Sequence, residues 1–241
     1  MTVASEFCGS VISLRRGEEE LLRSAYPEAR PLSWENPWFG GINPSLGSVG
    51  HDLAKERFTA RPVRRRGAQG ITWQGVRVSC SPKEDRARHD RLELDYLLAP
   101  GSNLLAVVLR TTRRTDTAGW LNAGLTFWPI LGGSFLDAVI RTGSDDRAEL
   151  LRADFGRGTG DRRWVLAENP KARQALVGCS TDDASWVQAQ VFGQDGYFLG
   201  VHRGSRHAAR ETKEATFLFG YTTTEQARAW AEALSKLRGL P

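Results

Sequence analysis

Cysteine, histidine and long apolar runs are all scarce in this sequence of 241 residues. Its three cysteines, Cys8, Cys80 and Cys179, are widely spaced, and an odd count without a Cys-x-x-Cys pair argues against a disulfide framework and a zinc site. No segment approaches the roughly 18 apolar residues of a membrane-spanning helix, and the N-terminal segment lacks the pattern of a secretory signal. We therefore expect a cytoplasmic protein with no membrane partner, no metal and no cofactor, and with Cys80 and Cys179 buried as small apolar side chains.

Positive charge is in slight excess, with a formal net charge of +5. Most of the basic residues are arginines spread along the chain, with one dense cluster at Arg61, Arg64, Arg65 and Arg66. A nucleic-acid-binding surface would need a basic stripe together with a recognisable helix or aromatic platform. Gly67 and Gly70 follow the cluster, so we expect a solvated turn there, and the charge pattern argues against nucleic acid as a partner.

Alternating and continuous apolar segments predict many short strands. Arg91–Leu98 places every second residue on an apolar face, and Leu104–Thr112 is apolar enough to be buried on both faces. The turn-forming residues 99–103 join them into a predicted hairpin. Strands are further predicted at Gly9–Leu14, Ile71–Cys80 with a bulge at Gly75, Gly124–Ile130, Ser134–Arg141, Trp164–Glu168, Gln174–Cys179, Ser185–Phe192, Tyr197–His202 and Ala215–Tyr221.

One amphipathic helix is predicted near the C-terminus, over Gln226–Leu237. The polar stretch Arg141–Gly160 predicts a long loop, in which Arg147–Arg152 is compatible with a helical turn. No internal repeat or inter-domain linker interrupts the chain. The sequence thus predicts an all-β fold, a large antiparallel β-sandwich with a C-terminal helix, in a single domain over residues 1–241.

The densest aromatic and polar segment is Trp34–Pro44. Its prolines and glycines favour a loop over a paired strand. Aromatic rings on such a loop either fill the core or present a flat apolar face to a ligand, and the amides beside them favour a cleft. The residues expected to line one side of that cleft are Trp34, Asn36, Trp38, Phe39 and Asn43.

Several segments together resemble the galactose-mutarotase-like domains, the supersandwich proteins that include aldose 1-epimerases. The resemblance spans roughly Val11 to Leu237 and is one of spacing and turn pattern. The segments that carry it are Val11–Leu14, Glu20–Leu22, Trp34 with Asn36–Gly41, Gly75–Val78, Leu94–Asn103, Leu105–Val108 and Thr216–Tyr221.

The resemblance implies a sugar as the ligand and, for an epimerase, two histidines with a late carboxylate as acid and base. His51 stands where the first histidine is expected, whereas Phe127-Trp128-Pro129 stands where the second is expected. His202 and Glu211 are the remaining candidates for a catalytic pair. This departure argues against ordinary epimerase chemistry.

The leading hypothesis is therefore a carbohydrate-binding domain, with an associated carbohydrate enzyme as a conceivable partner. Besides the residues of the aromatic segment, the candidates for ligand contacts are Trp73, Arg77, Trp128 and Arg203, the last beside His202 at the rim of the cleft. Two alternatives remain open: an aldose 1-epimerase or mutarotase acting on a sugar or sugar phosphate, and a non-catalytic protein-interaction domain.

Overall fold

Two antiparallel sheets face each other across one large apolar core. The computed structural model describes residues 1–32, 35–46, 53, 55–67, 70–83, 90–144, 147–151, 163–182, 185–191 and 195–237. With strands numbered in chain order, the six-stranded sheet has the spatial order β1 (Thr2–Ala4), β2 (Ser10–Ser13), β7 (Ile42–Leu46), β12 (Gly119–Phe127), β18 (Tyr197–His207) and β17 (Ser185–Val191).

The second sheet has nine strands and carries the helix α1 (Ala227–Lys236) on its outer side. Two short hairpins, β3 (Arg15–Arg16) with β4 (Glu19–Glu20) and β5 (Arg30–Leu32) with β6 (Glu35–Trp38), complete the fold. The spatial order of the nine strands is β14 (Arg147–Leu151), β13 (Val139–Ser144), β15 (Trp164–Asn169), β16 (Gln174–Ser180), β19 (Thr212–Thr223), β11 (Leu104–Arg113), β10 (Asp90–Leu98), β9 (Thr72–Cys80) and β8 (Thr59–Arg66). The predicted all-β sandwich with a C-terminal helix is confirmed, and no helix of the described residues is long and apolar enough to span a bilayer.

The central hairpin of the nine-stranded sheet forms where the sequence predicts it. Leu92, Leu94 and Tyr96 of β10 are fully buried in the core between the sheets, as the alternation requires. Strand β11 is buried on both faces, because Val107 faces the other sheet while Val108 faces the outer layer beneath α1. Cys80 and Cys179 are buried, as expected, and Cys8 is buried as well.

The helix covers part of the outer face of the nine-stranded sheet. Ala227, Ala231 and Leu234 form its buried stripe and share a second apolar cluster with Val177 and Leu218 of the sheet. This helical spacing is the predicted one, and the helix begins one residue after the predicted start. The second cluster explains why the sheet is apolar on both faces.

The segment predicted as an aromatic loop contains two strands, β6 and β7, and the prediction of a loop is wrong there. Pro37 and Pro44 lie within these strands. The connection between them is made by Gly40 and Gly41, whose φ angles are +64° and +68°. A Cβ atom on Gly41 would lie 2.2 Å from the carbonyl oxygen of Val11, so this close approach requires glycine.

Three other local predictions are also wrong. The arginine cluster forms the edge strand β8 instead of a solvated turn, and the polar stretch after residue 141 contains β14. Gly75 lies in continuous register with Leu97 and makes no bulge. A Cβ atom there would lie 1.7 Å from the carbonyl oxygen of Tyr96, so the glycine permits a close approach between strands.

A buried carboxylate holds β8 to the rest of its sheet. Asp95 of β10 is fully buried and accepts hydrogen bonds from Arg65, Arg77 and Arg110 at 2.5–2.9 Å. Glu214 of β19 forms ion pairs with Arg65 and Arg110 at 3.2 and 2.6 Å. The hydrogen bonds to Asp95 raise the pKa of Arg77 above its ordinary value, and the network joins five strands of the sheet.

Candidate functional site

A row of small and polar side chains crosses the six-stranded sheet on its outer face, the face turned away from the nine-stranded sheet. Thr126 is paired with Asn43 of β7 on one side and with Gly200 of β18 on the other. Gly200 is in turn paired with Gln188 of β17. The hydroxyl of Thr126 donates a 2.7 Å hydrogen bond to Oδ1 of Asn43, so this polar row is already partly organised.

A second row lies beside the first and contains the histidine that the sequence singles out. Gly124 is paired with Ser45 of β7 and with His202 of β18, and His202 is paired with Trp186 of β17. The imidazole stacks on the indole of Trp186, with ring centroids 5.7 Å apart and 21° between the planes. Nε2 of His202 lies 2.8 Å from Nε2 of Gln188, which links the two rows.

Glycines on the two central strands let these side chains lie flat on the sheet. A Cβ atom on Gly200 would lie 2.8 Å from Cγ of Gln188 and 2.9 Å from Nε2 of His202. A Cβ atom on Gly124 would lie 2.5 Å from Nδ1 of His202. All three distances are too short for a real Cβ atom, so the hydrogen-bonded pair occupies space that the glycines leave free.

His202 is a neutral hydrogen-bonding group near neutral pH. Burial lowers its pKa from 6.5 to about 4, because desolvation disfavours the charged ring. An amide nitrogen is only a donor, so Nε2 of Gln188 donates to Nε2 of His202, and the ring proton then lies on Nδ1. The site combines a neutral imidazole with amide and hydroxyl groups, which is chemistry suited to ligand hydroxyls.

The described residues of this face include no partner for acid–base catalysis. The outward positions of β7, β12, β18 and β17, all of which the structure describes, hold no Asp or Glu. Glu211, the predicted partner of His202, lies in the turn after β18, where its Oε2 accepts a 2.7 Å hydrogen bond from the backbone N–H of Ala208. His202 and the end of β18 are separated by roughly 17 Å of extended strand. The predicted pairing of His202 with Glu211 is therefore wrong.

The indoles expected to line an open cleft are buried instead. Trp38 and Trp128 are 0% and 2% exposed and meet edge to face, with ring centroids 5.4 Å apart. Phe198, an outward residue of β18, packs against Trp128, and the guanidinium of Arg23 lies 4.9 Å from the ring centre of Trp38. Burial of these rings stabilises the fold and supports one end of the candidate face. Because the rings are buried, they do not form an open platform for a ligand.

The rest of the aromatic segment is divided between core and surface. Phe39 packs against Phe7 in the main core, with ring centroids 4.8 Å apart, whereas Asn36 is exposed. Asn43 is the member of this segment that reaches the polar row, although it is largely buried. Trp34 and His51 lie outside the described residues.

The remaining candidates point away from this face. Trp73 and Arg77 belong to the outer side of the nine-stranded sheet, where Trp73 is buried and Arg77 binds Asp95. Arg203 follows His202 directly and therefore points to the opposite face of β18, where it pairs with Asp182 at 2.8 Å. The structure thus groups Asn43 and His202 on one face, places Trp38 and Trp128 at its end, and excludes Trp73, Arg77 and Arg203.

Sequence reasoning missed several residues of the face, chiefly Thr126, Gln188, Trp186 and the glycines. A pattern that identifies part of it is present in β18, where Gly200, His202 and Gly204 alternate with core residues. Two glycines on the same face of one strand, four residues apart, leave that face short of side chains on either side of His202. The partners on other strands are far apart in sequence, so no local pattern joins them.

A separate cavity of about 530 Å³ opens beside the β10–β11 hairpin. Leu98, Leu104 and Tyr221 contribute to its mainly apolar lining. Two arginines reach it, but Arg15 and Arg16 are paired with Glu20 and Glu19 of the adjacent hairpin. This cavity contains none of the residues that the sequence predicts for ligand binding.

Comparison with solved structures identifies the fold. A galactose mutarotase related enzyme from Lactobacillus acidophilus is similar over 91% of this chain and 93% of its own, with 14% identity and a TM-score of 0.59. A galactose mutarotase-like protein from Clostridium acetobutylicum is similar over 92% of both chains, with 9% identity and a TM-score of 0.59. Another such protein, from Lactobacillus casei, covers 91% of this chain and 96% of its own, with 12% identity and a TM-score of 0.50.

No family model and no curated protein sequence matches the chain. Identities of 9–14% reflect a shared architecture and carry no residue roles from one protein to another. Three observations agree with the resemblance in the sequence: the two large antiparallel sheets, the terminal helix, and the similarity over more than nine-tenths of both chains. The chain therefore has the galactose-mutarotase-like supersandwich fold.

Proposed function

We propose that the outer face of the six-stranded sheet binds a carbohydrate and does not catalyse its epimerisation. The observation that carries this proposal is the Gln188–His202 pair lying flat over Gly200, beside the hydrogen-bonded Asn43 and Thr126. These groups are uncharged near neutral pH and present donors and acceptors for hydroxyls. Trp186 contributes a flat apolar ring beside them, which completes the usual combination of a sugar site.

The ligand proposed for this face is a neutral sugar. Among the described outward residues of β7, β12, β18 and β17, Arg206 alone is charged, and it lies at the far end of β18. A sugar phosphate is recognised by arginine or lysine, or by a row of backbone N–H groups. Binding through neutral hydrogen bonds should therefore change little between low and high salt.

Binding without epimerisation follows from the groups that this face lacks. Exchange of a sugar anomer needs one group to donate a proton and another to accept it near the same pH. Burial lowers the pKa of His202 to about 4, and the described residues place no carboxylate beside it. The neighbours' similarity in fold is consistent with a sugar ligand, since one of them is described as a galactose mutarotase related enzyme.

Titration with galactose, glucose and mannose, followed by calorimetry and tryptophan fluorescence, tests the binding. Gln188→Ala should weaken binding by about tenfold, because it removes one hydrogen bond and a contact with the neutral histidine. Gln74→Ala is the matched control, since Gln74 is exposed on β9 of the other sheet and should leave affinity unchanged.

The same samples distinguish the alternatives. Magnetisation exchange between anomers, measured by NMR, should be no faster with the protein than without it. Exchange that is accelerated, and that is lost in His202→Gln, would replace the binding proposal with the epimerase. Failure of every sugar to bind, at millimolar concentration and with the fold intact, would overturn the proposal and favour a protein-interaction domain.

A further inference from the structure

Trp120 is the most exposed large apolar side chain among the described residues, at 68% exposure. It occupies the first outward position of β12, on the same face as the proposed sugar site. Water contact over most of an indole is unfavourable, and such rings at a surface often mark a binding site. Because Trp120 lies on the same face as the proposed sugar site, its exposure is more informative than that of an isolated surface ring.

The ring of Trp120 converges with that of Trp186 over a glycine. A Cβ atom on Gly204 would lie 3.1 Å from Cζ2 of Trp120 and 3.2 Å from Cη2 of Trp186. The two indoles therefore approach the central strand β18 from β12 on one side and β17 on the other. Glycine at this position lets both rings lie low across the sheet.

The aromatic pair is continuous with the proposed sugar site. Trp186 stacks on His202, which is hydrogen-bonded to Gln188, so contacts run from the polar row to Trp186, and Trp120 approaches the same glycine, Gly204, from the other side. From Gly200, beside Gln188, to Gly204, beneath the two indoles, the strand extends for roughly 13 Å, at the rise per residue of a β-strand. That length exceeds a single sugar ring.

We propose that Trp186 and Trp120 bind the successive rings of an unbranched neutral oligosaccharide whose first ring lies at Gln188 and His202. This inference rests on the proposed function and extends it from a single sugar to a chain. Flat indoles match the C–H faces of sugar rings, and a series of them along a sheet suits a linear ligand. A single-stranded nucleic acid also stacks on aromatic rings but requires a positively charged groove, and Arg206 is the one cation among the described outward residues of β7, β12, β18 and β17.

Affinity as a function of chain length tests this inference. Galactose and unbranched galacto-oligosaccharides of two to four rings, with the glucose series in parallel, are titrated by calorimetry into the full chain. Affinity should rise with each added ring up to about three. Trp120→Ala should lower affinity for the longest chain by about tenfold and leave affinity for the single sugar unchanged.

Two controls make the result specific. Leu136→Ala removes another exposed apolar side chain, 51% exposed, outside the face and should change neither affinity. Melting temperatures of both variants should match the parent, since neither side chain is buried.

The failures are distinguishable. If the single sugar and the longest chain bind equally, or if Trp120→Ala leaves the longest chain unaffected, the extended site is wrong while the sugar site stands. If no saccharide of any length binds, both proposals fail. If Trp120→Ala instead dissociates a stable oligomer into monomers without affecting saccharide affinity, the exposed indole belongs to a protein–protein interface. That result would overturn the extended site.

Discussion

The imidazole of His202 lies nearly parallel to the indole of Trp186, 5.7 Å away between ring centres. The indole contacts the imidazole from the neighbouring strand, and the amide of Gln188 lies 2.8 Å from its Nε2. Desolvation of the ring lowers the pKa of His202 to about 4. The relationship fixes both the orientation and the charge of the single titratable group at the centre of the face, as far as the described residues extend.

Acidification should destabilise the fold through His202. In the unfolded chain a histidine titrates near pH 6.5, whereas the folded pKa of His202 is about 4. Between these values the unfolded chain binds a proton that the folded protein does not. The free energy of unfolding should therefore fall by up to about 3 kcal/mol as the pH is lowered from about 6.5 to about 4. Above pH 6.5 the contribution of His202 to this free energy should not change with pH.

Urea unfolding at pH 7 and pH 4.5 measures this effect. His202→Gln keeps a hydrogen-bonding side chain but removes the titration, so it should lose less stability on acidification than the parent. Equal losses in the two proteins would show that His202 does not carry the pH dependence.

Removal of the Trp38 indole should destabilise the fold. Trp38 is fully buried against Trp128, and Trp38→Ala should cost about 3–5 kcal/mol in the free energy of unfolding. Trp120→Ala, on an exposed ring, should cost less than about 0.5 kcal/mol. Chemical unfolding compares the two, and a small effect at Trp38 would contradict its assignment as a supporting core ring.

Neutralising Asp95 should be among the most damaging single changes on the nine-stranded sheet. Asp95→Asn leaves Arg65, Arg77 and Arg110 without the buried charge that they share, so a loss of about 3–5 kcal/mol is expected. Asp116→Asn is the matched control, because its ion pair with Arg210 is exposed and worth less than about 1 kcal/mol. Similar losses for the two variants would show that the network contributes little.

The two central glycines of the face should respond differently to alanine. A Cβ atom on Gly124 would lie 2.3 Å from the backbone oxygen of Val201, so Gly124→Ala should destabilise by about 1–3 kcal/mol. Gly200→Ala meets side-chain atoms of Gln188 and His202, which can move. It should keep the fold but displace the pair, seen as altered imidazole signals in NMR spectra and weaker sugar binding.

Where one face of a segment is buried and the pattern is simple, the sequence predicts the fold well. The alternation of β10 places Leu92, Leu94 and Tyr96 in the core, although Asp95 and Leu97 on its other face are buried as well, and the continuous apolar run of β11 corresponds to a strand buried on both faces. The prediction failed for β7 and β8, because proline, glycine and arginine disfavour strands locally. Tertiary pairing overrides that preference: Ile42 is held against Val11, and Arg65 against Asp95.

The site was less predictable because its members meet only through strand register. Asn43, Thr126, Gly200 and Gln188 come from four strands and are adjacent only after folding. Arg203 illustrates the opposite error, since it neighbours His202 in sequence but faces the other way. The aromatic segment was recognised, but whether its rings are buried depends on Phe198, on a distant strand.

Strand β8 lies at the edge of the nine-stranded sheet and carries Arg61, Arg64, Arg65 and Arg66. An unpaired edge of this length is a template on which a second chain can extend the sheet. Two copies joined there would set guanidinium groups opposite one another across the junction, and like charges facing each other destabilise such a pairing. The arginines for which the sequence predicted a solvated turn thus disfavour edge-to-edge pairing of two molecules through β8.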